Sequence, residues 1–125
     1  MSLQVSEIGQ IAIAVNDIDQ ARAFYRDVLG LQFLFDAPPA LSFFTCGSVR
    51  LMLTTLQGDP ADHKTSSIYY KVADLRQADQ QLQKVGIAWE RAPSFVAKMP
   101  DHDLWMGFVR DPDRNLIGLM EERRV

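Results

Sequence analysis

The feature that most constrains the fold is an internal repeat, because the two halves of the chain carry one short motif in the same setting. Residues 15–21 read Val-Asn-Asp-Ile-Asp-Gln-Ala and residues 72–78 read Val-Ala-Asp-Leu-Arg-Gln-Ala, so four of seven positions are identical. Each motif follows a segment, 10–15 or 67–72, whose alternate side chains separate into two faces, as a β-strand requires. The repeat predicts two copies of one structural unit that begins with a strand.

Each motif also opens a predicted helix. Asp17 and Asp74 are good N-cap residues, because a carboxylate accepts hydrogen bonds from the free N–H groups of the first turn. Apolar side chains recur on one stripe of each helix, and Gly30 and Gly86 stand where a left-handed C-terminal cap belongs. Three short strands are predicted to follow each helix, at 31–35, 41–46 and 49–55 in the first half and at 87–91, 104–110 and 116–121 in the second.

The predicted connections divide the chain into two modules of one domain that spans residues 1–125. Module one covers about 6–56 and module two about 66–122, and the polar stretch 57–66 is interpreted as the linker. Gly47-Ser48 and residues 111–115 supply turns, while 93–103 is interpreted as a long loop. An unrelated α+β sandwich is the alternative to a duplicated unit.

Composition excludes several classes of partner. The formal net charge is -3 and the basic residues are scattered, which argues against a nucleic-acid surface, and Arg123-Arg124 is interpreted as a solvated tail. A single cysteine, Cys46, rules out an intrachain disulfide and favours a reducing cytoplasm. No apolar run approaches the roughly 20 residues of a membrane span, so we expect no membrane association.

Two segments carry a family resemblance that extends over about residues 6–122. They are Asp-Ile-Asp-Gln-Ala-Arg-Ala-Phe-Tyr-Arg-Asp-Val-Leu-Gly-Leu at 17–31 and Phe-Val-Arg-Asp-Pro-Asp-Arg-Asn-Leu-Ile-Gly-Leu at 108–119. The sequence resembles the vicinal-oxygen-chelate superfamily of glyoxalases, bleomycin-resistance proteins and extradiol dioxygenases. The resemblance implies an α+β fold in which two βαβββ modules form a cup-shaped mixed sheet. Helices would cover the convex side, and a ligand or metal would lie in the concavity.

Metal-dependent members of this superfamily place one ligand on the first and last strand of each module. The aligned positions here are Gln10, Met52, Ser67 and Gly118. Only Gln10 offers an oxygen donor suited to a hard divalent cation, and one such donor cannot hold a metal against water. We therefore predict no metal and no other cofactor. Gly118 weakens a strand interior unless something approaches its backbone, which is a mild argument for a ligand there.

The resemblance and the strand phase together predict which side chains line the cup. The predicted ligand-binding residues mix small, apolar and polar side chains: Gln10, Ala12, Phe44, Met52, Ser67, Tyr69, Met106, Gly118 and Met120. As an alternative, these side chains would fill the concavity themselves and form a core without room for a ligand. Trp105 would join them if the inward- and outward-facing positions of its strand are shifted by one residue. His102 is a weak candidate acid or base, although a solvated loop residue is the favoured reading of it.

The predicted function is metal-free binding of a small, partly apolar or aromatic molecule, as in bleomycin-resistance proteins. The alternative is an enzyme of the superfamily, a lyase, isomerase or dioxygenase, that uses a divalent metal with non-standard ligands. The expected partners are the small-molecule ligand and a second copy of the chain in a homodimer, because exposed sheet edges need cover.

Overall fold

The computed structural model describes residues 4, 7–55 and 67–124, which cluster into two compact units. The first unit contains β1 (Gln10–Ala14), α1 (Ile18–Ala23), β2 (Gln32–Ala37), β3 (Leu41–Cys46) and β4 (Val49–Thr54). A π-helical turn, Phe24–Val28, continues directly from α1. The second unit contains β5 (Ile68–Lys71), α2 (Leu75–Lys84), β6 (Arg91–Lys98), β7 (His102–Arg110) and β8 (Leu116–Arg124).

The two units share one topology. The first sheet has the strand order β1-β4-β3-β2 and the second has β5-β8-β7-β6. In each sheet the first strand of the unit runs parallel to the last, and the other neighbouring strands pair antiparallel. Each unit is therefore a βαβββ module, which confirms both the two copies predicted from the repeat and the α+β fold that the resemblance implies.

The helix ends form as the motif predicts. The side chain of Asp17 accepts the Gln20 backbone N–H at 3.1 Å, and that of Asp74 accepts the Arg76 backbone N–H at 2.9 Å. Gly30 and Gly86 have φ values of 75° and 76°, which is the left-handed conformation that stops a helix at little cost only when the residue has no Cβ.

The sequence prediction is wrong in the middle of the second unit. Residues 87–90 lie outside any strand, and most of the predicted loop at 93–103 belongs to β6 and to the start of β7. β6 is an edge strand with two register irregularities, and its Phe95 and Val96 are both about half exposed. Pro93 and consecutive exposed apolar residues hide the alternation by which a strand is recognised.

The C-terminal end also differs from the expectation. β8 runs to Arg124, so the pair interpreted as a solvated tail lies within a strand. Arg123 donates to Glu121 at 3.0 Å, and its guanidinium lies 4.1 Å from the ring centroid of Trp105. The predicted linker 57–66 falls outside the described residues. Among the helices in the described part of the chain, none is long and apolar enough to cross a membrane.

Candidate functional site

Each sheet has one face packed against its own helix, and we call the opposite face the distal face. In the first unit Ile13, Leu51 and Leu53 point toward α1 and are at most 8% exposed. The alternating neighbours Gln10, Ala12 and Met52 therefore point to the distal face, where Ala12 is paired with Met52 in register. Gln10 and Ala12 are exposed, so solvent reaches this part of the distal face.

Gln10 is the centre of a polar cluster on this face. Its amide oxygen accepts a hydrogen bond from Nε of Arg50 at 2.7 Å, and its amide nitrogen lies 3.7 Å from the sulfur of Met52. The guanidinium of Arg50 lies 5.6 Å from the ring centroid of Phe43, within the range of a cation–π contact. The polar atoms of Gln10 are thus engaged by neighbouring side chains.

The aromatic residue of the first distal face is Phe43, and the assignment of Phe44 to that face is wrong. Phe43 is opposite Met52 in the β3–β4 register, and its ring stacks on Phe35 with centroids 4.7 Å apart. Phe44 is fully buried among the aromatic rings of the α1 side, those of Tyr25 and Phe33. Because Phe43 and Phe44 are adjacent and equally apolar, the sequence does not show which of them points to the helix side and which to the distal face.

The second distal face gathers most of the residues predicted for it. Met106 is opposite Met120, and Phe108 is opposite Gly118. Gly118 is also opposite Tyr69 on the other side of β8. The rings of Tyr69 and Phe108 meet edge to face with centroids 5.8 Å apart. Ser67 is exposed and immediately precedes β5.

Gly118 is approached closely, but by the protein itself. A Cβ on Gly118 would lie 2.9 Å from Cε2 of Tyr69, and Cδ2 of the same ring would be closer still. The glycine therefore makes room for the Tyr69 ring, which corrects the expectation of a ligand resting against the backbone there. Tyr69 remains 48% exposed, so its outer side is accessible.

Trp105 does not join this face. It is opposite Glu121 in β8, and the backbone N–H of Leu75 at the start of α2 donates to the Glu121 carboxylate at 2.8 Å. Trp105 therefore lies on the α2 side of the sheet, with Phe95 and Arg123 around it. Sequence reasoning missed the role of Glu121, since 46 positions separate it from the helix end that it caps.

His102 is buried rather than solvated, and the loop reading of it is wrong. It begins β7 at 8% exposure, opposite Arg124. Its Nδ1 lies 2.7 Å from the carboxylate of Asp101, which also forms an ion pair with Arg124. The hydrogen bond with His102, followed by that with Arg124, lowers the pKa of Asp101 below its usual value.

Strand alternation places His102 on the same side of β7 as Met106. Four residues of a strand span roughly 13 Å, so His102 lies about that far along the strand from Met106. Within the described residues, no three His, Cys, Asp or Glu side chains gather as metal ligands would. Of the aligned quartet, Gln10 and Met52 meet in the first unit, and Ser67 and Gly118 lie in the second.

The comparisons with known proteins point to one superfamily. Residues 7–119 match the family model described as the Glyoxalase/Bleomycin resistance protein/Dioxygenase superfamily. Lactoylglutathione lyase from Agrobacterium tumefaciens is 25% identical with a TM-score of 0.68, and the alignment covers 94% of each chain. The antibiotic-binding protein TnmS3 from Streptomyces sp. CB03234 is 21% identical with a TM-score of 0.71, over 97% of this chain and 99% of that one.

A third solved structure, a glyoxalase/bleomycin resistance protein/dioxygenase from Alicyclobacillus acidocaldarius, is 19% identical with a TM-score of 0.68. The alignment covers 94% of this chain and 92% of that one. No curated protein sequence matches the chain.

Proposed function

Because the chain belongs to the glyoxalase/bleomycin resistance protein/dioxygenase superfamily, we propose that it binds a small, partly apolar or aromatic molecule without a divalent metal. The ligand contacts the distal face of a sheet. TnmS3, an antibiotic-binding protein, has the same fold and supports a binding role. The proposal that no metal is needed depends on the contacts made by residues at the aligned metal positions, chiefly Gln10 and Gly118.

Those contacts do not suit a divalent cation. The amide oxygen of Gln10 is the stronger of the two oxygen donors in the set, the other being the weakly ligating hydroxyl of Ser67, and it accepts from the cationic Arg50 at 2.7 Å. A metal at that oxygen would displace this hydrogen bond and lie beside a guanidinium, where charge repulsion opposes it. At Gly118 the ring of Tyr69 takes the space of a ligating side chain. Met52 adds a thioether, which is a poor ligand for hard cations.

The same faces suit an organic ligand. Aromatic and thioether side chains surround a few polar groups, which is the usual lining of a small-molecule site. Phe35 and Tyr69 are each 48% exposed, and Ala12 is exposed and small. These side chains leave apolar surface in contact with solvent, and covering it with a ligand is favourable at about 25 cal/mol per Å².

The first test separates metal from ligand binding. Protein purified without chelators should contain far less than one Zn, Ni, Fe or Mn per chain by mass spectrometry. In the presence of EDTA, a thermal-shift screen of aromatic and antibiotic-like compounds should still find stabilising ligands. Stoichiometric metal, or ligand binding that EDTA abolishes, would contradict the metal-free proposal.

A pair of variants tests the location. Ala12→Trp places a large side chain on the first distal face and should weaken binding of any compound found in the screen. Ala73→Trp is the matched control, because Ala73 is also exposed but lies between β5 and α2. Equal binding by Ala12→Trp and the parent would place the ligand away from the first distal face.

Catalysis remains the second candidate, because the buried His102 pairs with Asp101 at 2.7 Å, as a general base with an orienting carboxylate does. This function predicts turnover that His102→Gln abolishes while the fold is kept.

We also propose a cytoplasmic homodimer. Light scattering at micromolar concentration should give twice the chain mass of 14.1 kDa, and a mass equal to one chain would contradict the dimer.

A further inference from the structure

We propose that Arg50 selects ligands with an anionic group, so that the first distal face takes a planar aromatic carboxylate. This inference rests on the proposed binding function and names the class of molecule bound. Two observations support it: which arginines form ion pairs with carboxylates, and which contacts the guanidinium of Arg50 makes.

Arg50 stands apart from most other arginines of the chain. Six arginines in the described residues lie within ion-pair distance of a carboxylate: Arg22, Arg26, Arg110, Arg114, Arg123 and Arg124. Arg50 has no such carboxylate among the residues that the structure describes, although acidic residues outnumber basic ones 16 to 13. Arg76 and Arg91 lack one as well, but of these three only Arg50 donates a side-chain hydrogen bond within the described residues, to Gln10. The charge of Arg50 is left for a ligand to neutralise.

Two contacts orient the guanidinium of Arg50. Its Nε donates to Gln10 at 2.7 Å, and its central carbon lies 5.6 Å from the ring centroid of Phe43. Its two terminal nitrogens make no hydrogen bond within the described part of the protein, and they are the donors that bind a carboxylate bidentately. A guanidinium oriented by such contacts loses less conformational entropy on binding than a free one.

The aromatic half of the ligand is indicated by the rings next to Arg50. Phe43 and Phe35 are stacked with an interplanar angle of 27°, and Phe35 is 48% exposed. A planar ring can lie across the outward-facing side of Phe43, with Phe35 on one flank and Arg50 on the other. Met52 adds a polarizable sulfur beside Gln10. Since Arg50 lies beside Phe43, the anionic group and the ring of the ligand should be joined directly or through a few atoms.

The test compares aromatic acids with their neutral counterparts. Benzoate, 2-naphthoate and anthracene-2-carboxylate are titrated into the full chain by calorimetry, each beside its carboxamide. We expect the best acid to bind about 10-fold more tightly than its amide, as a charge-assisted hydrogen bond allows. The preference should shrink as the NaCl concentration rises, because salt screens exposed charges.

Variants assign the preference to Arg50. Arg50→Gln should remove the preference for the acid, whereas Arg50→Lys should keep part of it, since Lys retains the charge but not the planar pair of donors. Arg76→Gln is the matched control, because Arg76 is an exposed arginine on α2 and its loss changes the net charge equally. Circular dichroism and thermal unfolding verify that each variant is folded.

The outcomes separate this inference from the proposed function. Acids and amides that bind equally well, and that Ala12→Trp weakens alike, would overturn the role of Arg50 and leave the binding function in place. An acid preference that Arg76→Gln removes as much as Arg50→Gln would overturn it as well. If no acid, no amide and no compound of the wider screen binds, both the inference and the binding function fail.

Discussion

The ring of Tyr69 lies against the backbone of Gly118, in the space that a side chain at position 118 would need. The two residues are opposite each other in neighbouring parallel strands, and the ring also meets Phe108 edge to face. The position that the family resemblance aligns with a metal ligand is thus occupied by aromatic packing in this chain.

The first prediction tests this contact. Gly118→Ala should destabilise the protein by about 1 kcal/mol in urea unfolding, because the added methyl group displaces the Tyr69 ring from Phe108. In a Tyr69→Ala background the same change should cost much less, and this non-additivity identifies the ring as the cause. Gly9→Ala is the control, since no atom lies within 4 Å of its added Cβ. Equal costs with and without Tyr69 would contradict the explanation.

The second prediction concerns Glu121, whose carboxylate accepts the Leu75 N–H at 2.8 Å and the Arg123 Nε–H at 3.0 Å. Glu121→Ala should lower the free energy of unfolding by about 1–2 kcal/mol, because a helix N–H loses its acceptor and a partly buried ion pair with Arg123 is broken. Glu122→Ala removes long contacts, at 3.5 and 3.8 Å, with the exposed side chains of Lys71 and Arg124 and takes no acceptor from a helix end, so it should stay within about 0.5 kcal/mol of the parent. Similar losses for both variants would argue against a capping role.

The third prediction follows from the lowered pKa of Asp101, which is caused by hydrogen bonds with His102 and then Arg124. The stabilisation is fully present above the unfolded pKa of about 3.9 and is lost as the pH falls through the lower folded pKa. Asp101→Asn should therefore melt below the parent at about pH 6, and the two Tm values should converge as the pH falls below about 4. In an Arg124→Gln background this convergence should be weaker. A Tm difference that stays constant down to pH 2 would refute the linkage.

The fourth prediction concerns the hydroxyl of Ser42, which is fully buried and makes no hydrogen bond within the described residues. Ser42→Ala should leave stability unchanged or raise it by up to about 1 kcal/mol, because an unsatisfied buried polar group is removed. Thr45→Val is the comparison on the same strand, since the Thr45 hydroxyl donates to Gly47 at 3.2 Å. Its loss should cost about 0.5–1 kcal/mol. Thermal and urea unfolding of both variants measure the difference.

The sequence by itself determined the duplicated βαβββ plan, since that plan depends on local patterns. Asp17 and Asp74 cap their helices through backbone atoms two or three residues away, and Gly30 and Gly86 end them by their own dihedral angles. Such effects act over a few residues and can be recognised from spacing alone. Alternation also assigned Gln10, Ala12 and Met52 to one face, because β1 and β4 have unambiguous patterns.

Only the tertiary structure decided what those side chains contact. Ser42 and Phe44 face the core while Phe43 faces away, although the polarity of Ser42 suggests the reverse phase. The hydrogen bond from Arg50 to Gln10 joins residues 40 positions apart, and the approach of Tyr69 to Gly118 depends on the β5–β8 register. Strand register and side-chain packing are fixed by the whole sheet and its core, so no local pattern of residues encodes them.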